Sequence, residues 1–180
     1  MEFLFLGFGA IGLPFIFIYL DLRYGYKDVF NILLGWIPKI IRYFKQRKIK
    51  IYNDNFSLTM WTDGKPYILD FVKTIIDKLN PRPDGEGFTK WENVIKYIAK
   101  FETEHEEDGI SFLSRCIDIF ANDKEIDNLI IKLKEIITDE QYGKTTPYIN
   151  FKKDLMEVLV PLEKLLENRL DYIKRNKDLL

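Results

Sequence analysis

Three glycines near the N-terminus have the spacing of a nucleotide-binding fingerprint. Gly7, Gly9 and Gly12 form G-x-G-x-x-G after the strand-like sequence EFLFL. Such glycines give a tight turn and let the backbone approach a pyrophosphate, but the fold that uses them also needs a strand ending in an acid about twenty residues later. Residues 27–36 have no acid after Asp28. A nucleotide site therefore remains only an alternative interpretation, and we predict no cofactor.

The chain's only histidine, His105, lies within an acidic run. Carboxylates and imidazole can bind a divalent cation, and Glu102, His105 and Glu106 are the alternative candidate ligands. Neighbouring side chains at one helix end fan outward, however, and a run of like charge is typical of a solvated surface. We therefore predict no metal site. We predict that the acidic run and one aromatic residue bind a protein partner: Trp61, Glu104, Glu106, Glu107 and Asp108.

Cys116 is the only thiol, and it lies on an apolar helical stripe that predicts a buried, unreactive side chain. The sequence contains no P-loop, H-E-x-x-H or G-x-S-x-G motif. We therefore predict a protein without catalytic residues.

The first structural element of the chain is an apolar run over residues 3–20, FLFLGFGAIGLPFIFIYL. As a helix it would be about 27 Å long, just short of the hydrocarbon thickness of a bilayer. Tyr19 and Tyr24 lie where an interfacial aromatic belt is expected. No Lys or Arg precedes the run and eight follow it by residue 50, so the remainder is predicted to face the cytoplasm. The alternatives are a buried element of a soluble core and a targeting peptide.

Residues 28–47 have the pattern of a helix that lies in the membrane interface. Large apolar residues fall on one side and polar or basic residues on the other, as expected for an interfacial amphipathic helix. Residues 45–50 add a basic patch that anionic lipid would attract. Pro38 should kink or split the helix, and a second membrane span is the alternative topology. The predicted interface residues here are Trp36, Lys39, Arg42, Lys45, Arg47 and Lys48.

Beyond residue 50 the charge reverses, with nineteen basic and twenty-five acidic residues. This balance gives no reason to expect a nucleic-acid partner. Weak alternation over 48–62 predicts a short β-hairpin or a linker. From Pro66 onward, apolar stripes at helical spacing predict about five helices, the last from about Tyr148 to Lys177 with a coiled-coil-like seam.

The predicted fold class is therefore mostly α. It comprises a transmembrane helix (1–22), a basic amphipathic helix (23–50), a hairpin or linker (51–65) and a helical domain (66–180). We expect a non-enzymatic membrane-anchored protein whose cytoplasmic domain binds a protein partner or a second copy. The alternatives are a membrane-acting effector, such as a toxin, lysis or exclusion factor, and a small enzyme using Gly7, Gly9 and Gly12.

Overall fold

The computed structural model describes residues 26–59, 67–81, 83, 85–101 and 108–180. These residues form seven α-helices and a terminal 3-10 turn at Lys177–Leu179. The helices are α1 (Tyr26–Leu58), α2 (Tyr67–Leu79), α3 (Trp91–Ala99), α4 (Gly109–Phe120), α5 (Lys124–Thr138), α6 (Glu140–Thr145) and α7 (Tyr148–Arg175). The chain divides into two compact units, residues 1–48 and 49–180.

The mostly helical fold class is confirmed, but the hairpin predicted within 51–65 is wrong over its described part. The described ranges contain no strand, and α1 runs without interruption to Leu58. Ile49, Tyr52 and Phe56 are buried, and their spacing of three and four residues is that of a helix face. The alternating Lys-Ile pairs of 48–51 concealed this longer period.

Residues 49–180 form a helical bundle around one apolar core. The long helix α7 packs against α5 and α2, and α5 also packs against α4. The end of α1 joins this core, because the Phe56 ring lies edge-on to Phe120 at 5.8 Å and the Tyr52 ring edge-on to Tyr172 at 6.1 Å. The apolar stripes predicted for α2 to α5 supply most of the buried side chains.

The heptad-like seam of α7 belongs to this core. All five seam residues are buried: Leu155, Leu159, Leu162, Leu166 and Ile173. The helix continues through Pro161, and Pro161 itself is exposed. The seam pattern allows two interpretations, a core helix of the bundle and an exposed partner-binding surface, and the first is confirmed.

The sequence predicts a capping box at Thr89 and Glu92 and an N-cap at Asn122, and both helix-start predictions are wrong. The N-cap of α3 is Lys90 and makes no side-chain capping bond, so Thr89 and Glu92 form no capping box. The N-cap of α5 is Asp123 rather than Asn122, and the Asp123 carboxylate does not cap the helix. Asp123 instead binds an arginine of α7, described below.

No helix in the described ranges combines the length and apolar content needed to cross a bilayer. The predicted transmembrane run over 3–20, with Tyr19 and Tyr24, lies outside the described residues. Pro38 does not split α1 into two helices, because one helix extends from Tyr26 to Leu58.

Candidate functional site

Residues 34–44 of α1 carry a continuous exposed apolar surface. Seven large side chains within eleven residues are each between 48% and 61% exposed. We call them the apolar band: Leu34, Trp36, Ile37, Ile40, Ile41, Tyr43 and Phe44. Scattered exposed apolar residues are ordinary on a protein surface, whereas a contiguous group is typical of interaction sites and makes this band a candidate.

The opposite side of the same helix segment is basic. Lys39, Arg42 and Lys45 recur every three residues and are all exposed, and we call them the basic band. At 3.6 residues per turn, they lie across the helix from the centre of the apolar band. No acidic residue occurs between Asp28 and Asp54, so nothing in this stretch of sequence neutralises the basic charges.

Trp36 and Tyr43 lie where the apolar and basic sides meet. They are seven residues apart and therefore share one edge of the helix. Together with Lys39, Ile40 and Phe44 they line an open pocket. The Tyr43 and Phe44 rings meet edge to face with centroids 5.7 Å apart. Indole and phenol rings at such a boundary place an apolar body beside a polar tip.

Two exposed basic residues, Arg47 and Lys48, lie shortly after the apolar band, beyond Lys45 and Gln46. Ile49, the next residue, is fully buried, and Tyr52 and Phe56 belong to the bundle core. The apolar residues of α1 therefore fall into two groups, one exposed and one buried, with a basic pair between them. The second group is not apparent from the sequence, because the weak alternation over 48–62 favours a hairpin or a linker.

A charged cluster inside the bundle is the second place where functional chemistry is conceivable. Arg169 Nε donates to Asp123 Oδ2 at 2.8 Å, and Arg169 Nη2 donates to Glu125 Oε2 at 3.1 Å. The guanidinium carbon of Arg169 lies 5.3 Å from the centroid of the Tyr52 ring. Asp123 is only 7% exposed, so its charge depends on this arginine.

The electrostatics of this cluster suit a structural link. Burial raises the pKa of Tyr52, and the Asp123 carboxylate raises it further while Arg169 opposes the shift. The hydrogen bond to Asp123 raises the pKa of Arg169. Tyr52 therefore stays neutral and Arg169 stays charged at neutral pH. The cluster connects α1, the start of α5 and α7, and no sequence signal points to it because Arg169 and Asp123 are 46 residues apart.

Among the predicted partner-binding residues, the structure describes Asp108. This residue is the N-cap of α4, and its Oδ1 accepts a hydrogen bond from the Ser111 backbone N–H at 2.7 Å. That bond lowers the pKa of the Asp108 carboxyl. The other predicted site residues away from α1 lie outside the described ranges: Gly7, Gly9, Gly12, Trp61, Glu102, Glu104, His105, Glu106 and Glu107.

The remaining chemical candidates in the described residues belong to the core or the surface. Cys116 is fully buried, which confirms the burial predicted from its apolar stripe. Within the ranges described above, no group of three His, Cys, Asp or Glu residues is arranged to hold a metal ion. The exposed helix face of α1 is therefore the candidate site that the described geometry favours.

Comparison with known protein families, curated proteins and solved structures finds no match to this chain.

Proposed function

We propose that this protein is a membrane-associated interaction protein that lays the N-terminal half of α1 into the bilayer interface. The observation that carries the proposal is the apolar band, whose seven large side chains are about half exposed. A helix with one broad apolar side and one basic side binds in the interface plane, with its apolar side in the acyl boundary. The apolar run over 3–20 supports a membrane location, since its length and composition suit a bilayer anchor.

The bundle of residues 49–180 is, in this proposal, the part that binds a protein partner at the membrane. Its sequence from residue 51 has six more acidic than basic residues, the reverse of the sequence that precedes it. A surface of that sign would favour association with a basic partner and oppose close approach to anionic lipid. Chemical cross-linking of the full chain in mild detergent, with and without a candidate partner, tests this part separately.

The membrane part of the proposal is tested with the full chain, mixed with vesicles as detergent is removed, and then floated. Trp36 reports on α1, because the fluorescence difference between the chain and its Trp36→Phe variant isolates that side chain. We expect the chain to float and brominated lipid to quench the Trp36 signal. Failure of the chain to float with any vesicle would overturn the proposal.

A matched pair of double variants shows whether the apolar band is responsible. Ile40→Glu with Phe44→Glu places two carboxylates in the band and should abolish quenching of Trp36 by brominated lipid. Ile149→Glu with Val160→Glu makes a comparable change at exposed apolar positions of α7 and should leave the quenching unchanged. Equal effects of the two pairs would contradict a specific role for the band. Dye release from the same vesicles would instead favour the membrane-acting effector.

A further inference from the structure

The basic residues of α1 do not form one uniform patch. Lys39, Arg42 and Lys45 lie opposite the apolar band, whereas Arg47 and Lys48 come after its last residue, Phe44. If the apolar band is buried in lipid, Lys39, Arg42 and Lys45 can therefore remain at headgroup level beside it. Arg47 and Lys48 lie beyond its end. Long basic side chains in this position keep their charge in the polar layer while their stems cover apolar surface.

The length of the band sets its orientation. Residues 34–44 span about 16 Å as a helix, roughly half of the hydrocarbon thickness of a bilayer. A band of this length fits along the membrane plane rather than across it. Trp36 and Tyr43 then occupy the boundary between acyl chains and headgroups, where indole and phenol side chains are enriched.

We infer that α1 selects anionic phospholipid through the basic band of Lys39, Arg42 and Lys45, which bind headgroup phosphates while the apolar band occupies the acyl boundary. This inference rests on the proposed function and adds the lipid class to it. Charge complementarity favours anionic lipid as the ligand of α1, because the stretch between Asp28 and Asp54 contains only basic charges. A second copy of the chain would bring the same basic side chains together, which like-charge repulsion opposes.

The expected size of the effect follows from the charge. A Lys or Arg near an anionic membrane surface contributes roughly a fivefold increase in binding, so three of them contribute roughly a hundredfold. This contribution should weaken as salt shortens the range of the surface potential. The contribution of the apolar band should be nearly independent of salt.

The experiment uses the full chain reconstituted with phosphatidylcholine vesicles containing increasing fractions of phosphatidylglycerol. The readout is quenching of Trp36 by brominated lipid, which follows α1 even if residues 3–20 hold the chain on every vesicle. We expect quenching to increase steeply with the anionic fraction and to decrease with salt. Replacing Lys39, Arg42 and Lys45 with Gln should reduce the ratio of bound to free α1 by roughly a hundredfold on anionic vesicles and only slightly on neutral ones.

The control variant replaces Lys132, Lys164 and Lys174 with Gln, which changes the net charge equally at exposed positions of α5 and α7. It should bind as the unmodified chain does. If Trp36 is quenched equally on neutral and anionic vesicles, or if both triple variants behave alike, the lipid selectivity is wrong while the proposed function stands. Failure to float at all overturns both. Trp36 shielding that depends on protein concentration rather than on lipid composition would assign the band to a second copy and overturn the inference.

Discussion

The two long helices, α1 and α7, have similar sequence patterns and opposite surroundings. Both are amphipathic and both contain an internal proline. The apolar seam of α7 is buried in the bundle, whereas the apolar band of α1 is about half exposed. Around the seam of α7, acidic and basic residues are mixed. Between Asp28 and Asp54, by contrast, α1 has only basic ones, and it carries aromatic rings at the edge of its band. Periodicity therefore predicts a helix with two sides, and the charge and aromatic pattern indicate what the apolar side contacts.

The largest effect is expected from replacing isoleucine with alanine at a buried position of the bundle, compared with the same substitution in the apolar band of α1. Ile130→Ala should lower the free energy of unfolding by about 2 to 5 kcal/mol, because Ile130 is fully buried in α5 and its loss leaves a cavity. Ile40→Ala, in the apolar band, should change it by less than about 0.5 kcal/mol. Urea unfolding of the full chain in mild detergent, followed by circular dichroism, measures both. A comparable loss at Ile40 would show that the band packs against protein.

The ion pair of the bundle should have the next largest effect. Arg169→Met leaves the buried Asp123 carboxylate without its main donor, which should cost about 2 to 3 kcal/mol of stability. Glu125→Gln alters the exposed partner of the same arginine and should cost less than about 0.5 kcal/mol. The same urea titration compares the two variants. Equal losses would contradict the assignment of Asp123 as the essential partner.

Two glycines within helices allow a comparison in which the expected change in stability is smaller. A Cβ at Gly109 in α4 would lie 2.6 Å from the Ile98 backbone oxygen, whereas a Cβ at Gly35 in α1 meets nothing within 4 Å. Gly109→Ala should therefore destabilise the bundle by about 1 to 2 kcal/mol. Gly35→Ala should leave bundle stability unchanged and increase helix content slightly, since alanine favours helix over glycine. Thermal unfolding and circular dichroism distinguish these outcomes.

The smallest expected effect concerns the cap of α4. Asp108→Ala should cost about 1 kcal/mol at neutral pH, because the Ser111 N–H loses its acceptor. The folded state lowers the pKa of Asp108, so the stabilisation is complete above the unfolded pKa of about 3.9 and disappears as the pH falls through the folded pKa.

Asp108→Asn is the matched variant for this pH dependence, because asparagine caps helices but does not titrate. The stability difference between the unmodified chain and Asp108→Asn should be constant near neutral pH and shift toward the asparagine variant below about pH 4. Urea titrations at several pH values measure this difference. A pH-independent difference would contradict the role of the carboxylate as the cap.

Much of the bundle could be predicted from its sequence because each helix carries its own apolar stripe. The stripes of α2, α4 and α5 contain residues that are buried as expected, such as Ile75, Cys116 and Ile130. The apolar stripe predicted for α4 does not include Phe112, yet Phe112 is fully buried among aromatic rings. A helix that contacts partners on two sides buries more residues than a single stripe predicts.

The hairpin and the helix N-caps could not be predicted correctly, because in these places a tertiary contact overrides the local sequence pattern. Residues 48–62 alternate weakly and contain Asn53, Asp54 and Asn55, which favour a turn. Tyr52 and Phe56 nevertheless reach the core only as part of a helix. Asp123 has the position of an N-cap residue, but Arg169 from α7 binds its carboxylate. For α1, the helix and the exposure of Trp36, Lys39, Arg42 and Lys45 agree with the sequence pattern, and their contact with lipid stays a prediction.

If α1 lies in the membrane interface as proposed, Pro38 would favour one rotation of the helix about its own axis. Proline has no N–H, so the carbonyl of Leu34, four residues earlier, loses its helical donor. Pro38 lies on the side that also carries Arg42 and Lys45, where water or a headgroup can satisfy that carbonyl. If the helix rolled half a turn about its axis, the same oxygen would enter hydrocarbon, at a cost of several kcal/mol. Proline is usually regarded as a helix breaker, but here Pro38 would oppose rotation of the helix about its axis at the membrane surface.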